Sequence, residues 1–249
     1  MSAPRRLVLI HGFTERPTMW DDMTTAWVDG SIAVCTPSIP GHGNHPEIPD
    51  IRTAESYCEA LLQQIPNDNL PLIVVGHSMG GYLASTLVRM VPERIQAIGF
   101  FHSKAGSDSA EKIEDRKRAI ATAAQNKDLY LATMLRNTLA EDNYPRFQQE
   151  LATLIEQAKH DISVACIEAA QEVMIQRPAN IGFLSTAAFP IHYFLGKQDK
   201  SIVYELMNEE LLALPGASLH TAESAGHMAH IECRTEAIEW LKKVCAFSE

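Results

Sequence analysis

The chain has 249 residues, 46% apolar and 21% charged, enough for one large domain with a buried core that needs no disulfide or metal staple. Its formal net charge of −10, from 21 basic and 31 acidic side chains, repels phosphate backbones and argues against nucleic-acid binding. After Arg5-Arg6 only Leu7 to Ile10 are continuously apolar, short of the roughly 7–15 residues of a secretory signal or the roughly 20 of a membrane span.

The five cysteines, Cys35, Cys58, Cys166, Cys233 and Cys245, are scattered, odd in number and form no C-x-x-C pair. Reduced thiols in a cytoplasmic protein are expected, with no disulfide framework and no structural zinc. There is no basic helical stripe for membrane attachment. Nothing in the sequence sets an oligomeric state.

The first expected element is a strand, Leu7 to Ile10, whose unbroken β-branched and apolar character suits burial on both faces of a parallel sheet. His11-Gly12-Phe13 ends it. A helix over Trp20 to Val28 and a strand over Ile32 to Thr36 follow. Pro37-Ser38-Ile39-Pro40-Gly41-His42-Gly43 then forms a loop of strong breakers. Thr53 to Ile65 reads as a helix stopped by Pro66, Leu70 to Val75 as a strand, Tyr82 to Val91 as a helix, and Ile95 to Phe101 as a strand.

After Lys104 the alternation stops. Ile113 to Gln125, Leu129 to Leu139, Phe147 to Lys159 and Ile162 to Gln176 all carry helical spacing and good helix formers. Ser107-Asp108-Ser109 supplies N-cap chemistry ahead of the first. Such a stretch of roughly 70–80 residues is small for an independent domain. It reads as a helical cap, or lid, over residues 105–186, inserted into a core of residues 1–104 and 187–249, with hinges near Lys104 and Thr186. The alternation resumes with a strand at Pro190 to Leu195, a helix at Ile202 to Leu214, a strand at Ser218 to Thr221 and a closing helix at Glu232 to Phe247. Strands alternating with helices imply an α/β fold with a mainly parallel sheet flanked by helices.

Gly76-His77-Ser78-Met79-Gly80-Gly81 carries the chemistry. A G-x-S-x-G run between a strand and a helix is the context of a nucleophile elbow. Ser78 then sits in a strained turn, and the strand packs so close to the helix that side chains at 76 and 80 would clash. The N–H of Met79 points outward at a helix N-terminus, where it can hold a developing oxyanion. Serine at neutral pH needs a base, and the base an orienting acid. Asp199, in Gly196-Lys197-Gln198-Asp199 after a strand, and His227, in Ala225-Gly226-His227 after the last strand, follow Ser78 in the order acid, then histidine. Both fall outside strand C-termini, where parallel sheets bind ligands. Asp108 is a rival acid and His230 a neighbouring imidazole. The second oxyanion donor is expected at the N–H of Phe13, shaped by His11-Gly12.

His11-Gly12-Phe13, Pro40-Gly41-His42-Gly43, Gly76 to Gly81, Gly196 to Asp199 and Gly226-His227 together resemble the α/β-hydrolase superfamily, in its small bacterial form with a helical cap. The resemblance spans most of the chain apart from the cap. It implies an α/β-hydrolase fold and a serine hydrolase that opens a carboxylic ester, lactone or thioester through an acyl-enzyme, with a small acyl substrate, water and no cofactor or metal. A serine nucleophile disfavours the dehalogenase and epoxide-hydrolase branches. His77 and Met228 stand where carbon–carbon bond hydrolases usually carry Asn and Trp. A carbon–carbon bond hydrolase, a ligand-binding receptor on this scaffold, and an acyltransferase or lyase sharing the triad remain alternatives, because the fold hosts many chemistries.

For the pocket wall the candidates are Leu131, Met134, Leu135, Met174 and Phe183 from the cap, with Trp20 and Tyr82 beside the oxyanion loops. Each also reads as plain core. Activity should fall as acid protonates His227, since imidazolium cannot accept the serine proton.

Overall fold

A computed structural model describes residues 4–27 and 32–246. The expected helix end at Val28 and the expected chain-terminal end at Phe247 lie outside the described residues. Six strands, β1 (Arg6–Ile10), β2 (Ala33–Cys35), β3 (Leu72–His77), β4 (Ile95–Phe101), β5 (Ile191–Gly196) and β6 (Ser218–Ala222), form one sheet in the order β2-β1-β3-β4-β5-β6. Every pairing is parallel.

The inner strands β1, β3, β4 and β5 read as largely apolar runs because both faces are covered, whereas the edge strands β2 and β6 are less buried. Val8, Ile10, Val74, Ile98, Phe100, Tyr193 and Leu195 point to one side, where they meet α2 (Ala54–Gln64) and α3 (Met79–Met90) through Tyr57, Leu61, Leu83 and Leu87. Their alternates Leu7, Leu9, Ile73, Val75, Ala97, Phe101 and Phe194 point to the other. There Trp20, Met23 and the closing helix α11 (Arg234–Ala246), through Trp240 and Leu241, complete the layer. This is the period-2 alternation of strand side chains, buried on both faces.

The expected helix from Trp20 is instead a 3-10 turn, a single α turn α1 (Asp21–Thr24) and a second 3-10 turn at Thr25–Trp27. The sequence places a closing helix from Glu232; a separate turn α10 (Ala229–Glu232) precedes α11. Ile202 to Leu214 shortens to a 3-10 turn and α9 (Asn208–Ala213), because the Asp199 carboxylate accepts the N–H groups of Ser201 and Ile202 and turns the chain there.

Between β4 and β5 lie α4 (Ala110–Gln125), α5 (Lys127–Arg136), α6 (Tyr144–Asp161), α7 (Val164–Gln176) and the short α8 (Ile181–Leu184). Ser109, Asn126 and Ser163 cap α4, α5 and α7, each side chain accepting a first-turn N–H. Leu131, Leu135, Leu151, Ile155 and Ile167 form this insert's own apolar cluster, which also takes in Met228. The insert is tied to the sheet edge by polar bonds. The His227 N–H donates to the Thr138 carbonyl at 2.6 Å, and the Ala140 N–H to Glu232 Oε1 at 2.7 Å. Glu232 Oε2 accepts from the N–H groups of Gly226 and Met228 as well. No described helix is long and apolar enough to cross a membrane.

Candidate active site

β3 runs through Gly76 and His77 to the edge of Ser78, and α3 begins at Met79 rather than at Tyr82. Strand and helix thus meet with Ser78 alone between them. A Cβ on Gly76 would lie 2.2 Å from the Gly80 carbonyl oxygen, and one on Gly80 2.3 Å from the carbonyls of Ile10 and His11. Only hydrogen fits at either position. The turn forces Ser78 to φ 50, ψ −117, a conformation that costs an ordinary residue on the order of 1–3 kcal/mol. Its N–H donates to Phe101 at 3.1 Å, and Ser103 Oγ donates to its carbonyl at 2.6 Å, so the strained backbone is held from both sides. Met79 is the first residue of α3, where backbone N–H groups have no partner within the helix.

Asp199, from the turn after β5, is 4% exposed, and its Oδ2 accepts from His227 Nδ1 at 2.7 Å. This leaves His227 Nε2 as the basic lone pair. The same Oδ2 accepts from His102 Nδ1 at 3.0 Å, while Oδ1 takes the two backbone N–H bonds of the turn. Burial opposes ionisation of Asp199, but the His227 charge and the His102 hydrogen bond hold its carboxyl well below the usual range. Burial lowers His102 to about 4 against the pull of Asp199, and its Nε2 has no partner, so it is a neutral Nδ1–H imidazole. Its backbone is strained too, at φ 47.

The loop after β1 is shaped by Glu15. Glu15 Oε2 accepts the Gly12 N–H at 2.6 Å and His77 Nδ1 at 2.7 Å. His77 Nε2 lies 2.9 Å from the His227 carbonyl. Both His77 nitrogens face oxygens that only accept, which requires an imidazolium paired with a carboxylate. Burial works against each ion, yet the charge and hydrogen bond of His77 bring Glu15 down to about 2, and Glu15 raises His77. Thr14, beside Phe13, has φ 67. His11 Nε2 accepts the Ile39 N–H at 3.0 Å and fastens this loop to the Pro37–Gly43 segment.

A cavity of about 270 Å³ opens onto these groups, with Phe13, Ser78 and His227 in its wall. Tyr82, Met134, Leu135 and Met174 line it as well, together with Lys112, Arg116, Tyr130 and Gln171. Three of the candidates lie elsewhere. Trp20 is fully buried against Phe101 under the sheet, their ring centroids 5.8 Å apart. Leu131 is fully buried in the insert's cluster, and Phe183 packs on the main core beside Phe189. Asp108 binds Arg116 and Arg177 instead of a histidine. Its burial opposes ionisation, but the Arg177 hydrogen bond and the charge of Arg116 hold its carboxyl well below the usual range. His230 stands over His77, ring centroids 5.6 Å apart, away from Asp199.

Two buried sets, Glu15-His77-His230 and His102-Asp199-His227, bring three metal-type ligand atoms within 4.8 Å. The Glu15–His77 bond and the two histidine bonds to Asp199 already engage one another within these sets, so an ion would have to displace them. The sequence does not single out Glu15, His77, His102, Glu232 or Arg116 for a role. His77 sits inside the elbow motif and Glu15 two residues after Phe13, and that placement was the only signal.

A sequence profile described as the alpha/beta hydrolase family matches residues 7–239. A pimeloyl-(acyl-carrier protein) methyl ester esterase of Aromatoleum aromaticum is 36% identical over 89 residues, 36% of this chain and 33% of that protein. The lipase LipV of Mycobacterium tuberculosis is 32% identical over 98 residues, 39% of this chain and 36% of that protein. The match thus spans only about a third of the length of these curated relatives. A thermophilic esterase from Thermogutta terrifontis superposes with a TM-score of 0.84 at 23% identity, covering 96% of this chain and 90% of that one. At that identity the likeness is one of fold.

Proposed function

The chain belongs to the α/β-hydrolase family, and from that premise we propose that it is a serine hydrolase acting on a carboxylic ester, lactone or thioester through an acyl-enzyme. One observation carries the reading: the strained Ser78 and the Asp199-bound His227 border the same cavity. Ser78 Oγ attacks the acyl carbon as His227 Nε2 takes its proton. Asp199 keeps Nδ1 protonated and stabilises the imidazolium. The N–H groups of Phe13 and Met79 hold the oxyanion, aided by the positive end of α3. His227 then gives its proton to the departing alcohol or thiol. Water, deprotonated by the same imidazole, attacks the acyl-serine and releases the acid. The esterase and lipase names of the curated relatives support ester substrates.

The insert between β4 and β5 acts in this proposal as a cap over residues 105–186, closing a pocket for a small acyl substrate. The five free thiols support a reducing, cytoplasmic setting. The test is hydrolysis of p-nitrophenyl esters of increasing acyl length by the wild type and Ser78→Ala, with mass spectrometry of the intact protein after acid quench. An acyl adduct on the wild type, absent from Ser78→Ala together with turnover, is the expected result. Turnover retained by Ser78→Ala would overturn the assignment.

A further inference from the structure

The cavity wall supplied by α4 is cationic. Arg116 lines the cavity although its residue is only 8% exposed. Its Nε donates to Asp108, and its Nη1 donates to Gln171 Oε1 at 3.0 Å. Asp108 also accepts from Arg177 at 2.7 Å. One carboxylate therefore answers two guanidinium groups, and the buried cluster keeps a surplus positive charge. The neighbouring Lys104 and Glu210 are of opposite sign and leave that surplus unchanged.

Lys112 stands one turn before Arg116 on the same helix and lines the same cavity. Among the described residues no carboxylate lies within ion-pair distance of its ammonium. The two acids that border the cavity are engaged elsewhere, Asp115 with Arg118 and Glu15 with His77. Like charges four residues apart on a helix are mildly destabilising. Arg116 has Asp108 as its counterion, whereas half-exposed Lys112 has none, so no ion pair of the fold accounts for Lys112 beside Arg116. An anion between them would. Tyr130 adds a third donor: its hydroxyl accepts from Gln171 at 3.2 Å and keeps its own proton for another acceptor.

We propose that the substrate carries a carboxylate at the end remote from its scissile acyl group, held by Lys112 and Arg116. The class is the half-ester, or half-thioester, of a short dicarboxylic acid. Its length is limited by the 270 Å³ cavity. This assignment rests on Ser78 being the nucleophile, and it concerns what the other end of the cavity recognises.

The test compares kcat/KM for monomethyl glutarate with that for methyl pentanoate, its neutral counterpart of similar length. The wild type should favour the half-ester by about tenfold or more, the equivalent of ~1.4 kcal/mol, and added salt should erode the preference as it screens the cations. Arg116 is bonded to Asp108, and its replacement endangers folding. Lys112→Glu, on a half-exposed position of α4, therefore carries the mutational arm and should reverse the preference. Equal kcat/KM for the two esters in the wild type, insensitive to salt, would overturn the proposal. Should neither ester nor p-nitrophenyl acetate turn over, the hydrolase reading fails separately. Free glutarate then decides the carboxylate site: a rise in Tm that Lys112→Glu abolishes supports it, and no rise in the wild type overturns it.

Discussion

The imidazole of His77 donates through Nε2 to the carbonyl oxygen of His227 at 2.9 Å. The residue before Ser78 thus holds the backbone of His227, and it does so as one half of the Glu15–His77 ion pair. Glu15 in turn fixes the Gly12 N–H beside Phe13, the proposed oxyanion donor. Glu15→Gln should weaken this brace without touching the reacting atoms. We expect kcat to fall about tenfold to a hundredfold, the scale of a misplaced catalytic group, with KM little changed. Breaking the buried pair should also lower stability by roughly 3–5 kcal/mol. Steady-state kinetics beside a denaturant titration separates the two effects. An unchanged kcat would refute the bracing role.

Asp199→Asn tests the acid. The amide can present its NH2 to both imidazoles, which favours the wrong tautomer of His227. A loss of about 10⁴ in kcat is expected, as for the corresponding change in other Ser-His-Asp enzymes. Asp108→Asn disturbs an arginine pair on the insert instead. Its effect should fall on stability and not reproduce the loss in kcat. Kinetics of the two variants side by side decides between the two acids.

The stability of the protein should fall in mild acid before its carboxylates titrate. Burial lowers His11, His102 and His192 to about 4 and His42 and His230 to about 3. In the unfolded chain each returns to an ordinary value near 6.5. Between those limits the unfolded state binds more protons, so each such histidine removes up to ~1.4 kcal/mol of stability per unit as pH drops. His77 has the opposite sign. Raised by Glu15, its contribution is complete below the unfolded value and is lost as pH rises through the folded one. Urea midpoints from about pH 7 to about pH 5 should fall steadily, since five histidines outweigh one. A flat profile would contradict the neutral burial of these imidazoles.

Gly80→Ala should be more damaging than an ordinary helix glycine replacement, which stabilises or costs little. The added carbon would meet the backbone oxygens of Ile10, at the end of β1, and His11, both at 2.3 Å, and no side chain can rotate to relieve it. A loss at or above the upper end of the roughly 1–3 kcal/mol range for overpacking is expected. Melting temperature and soluble yield report it. A variant as stable as the wild type would mean that strand and helix are free to separate.

Met134 and Leu131 are three residues apart on α5 but face different surroundings, the cavity and the insert's core. Met134→Trp should shorten the preferred acyl chain in the p-nitrophenyl series. Leu131→Ala should leave that optimum in place while costing about 2–5 kcal/mol of stability. Identical shifts in chain-length optimum for both would erase the distinction.

The inner strands were legible because apolar runs bounded by breakers have few other uses in a chain of this composition, and β6, Ser-Leu-His-Thr-Ala, was legible from its place in the alternation. Gly76 and Gly80 were legible because a strand-to-helix turn around one serine leaves room for nothing larger. The exact start of α3 at Met79 was not, since Gly80-Gly81 is poor helix sequence and only packing on β1 holds it. The insert's helices were readable from caps and spacing. Which of their faces meets the cavity was not, because Leu131, Met134 and Leu135 carry the same apolar signal and only the docking of α5 divides them. Asp199 and His227 follow from strand order. Glu15, His77 and His102 do not, since each acquires its role from a partner more than 60 positions away in the sequence.

The bond from the His227 N–H to Thr138, and Glu232's grip on both Ala140 and the Gly226–Met228 turn, tie the α5–α6 connection to the backbone of His227. Raising the α5–α6 connection to admit a substrate would pull on the backbone that carries the imidazole. In the proposed enzyme, an entry motion that leaves His227 in place must therefore spare that connection.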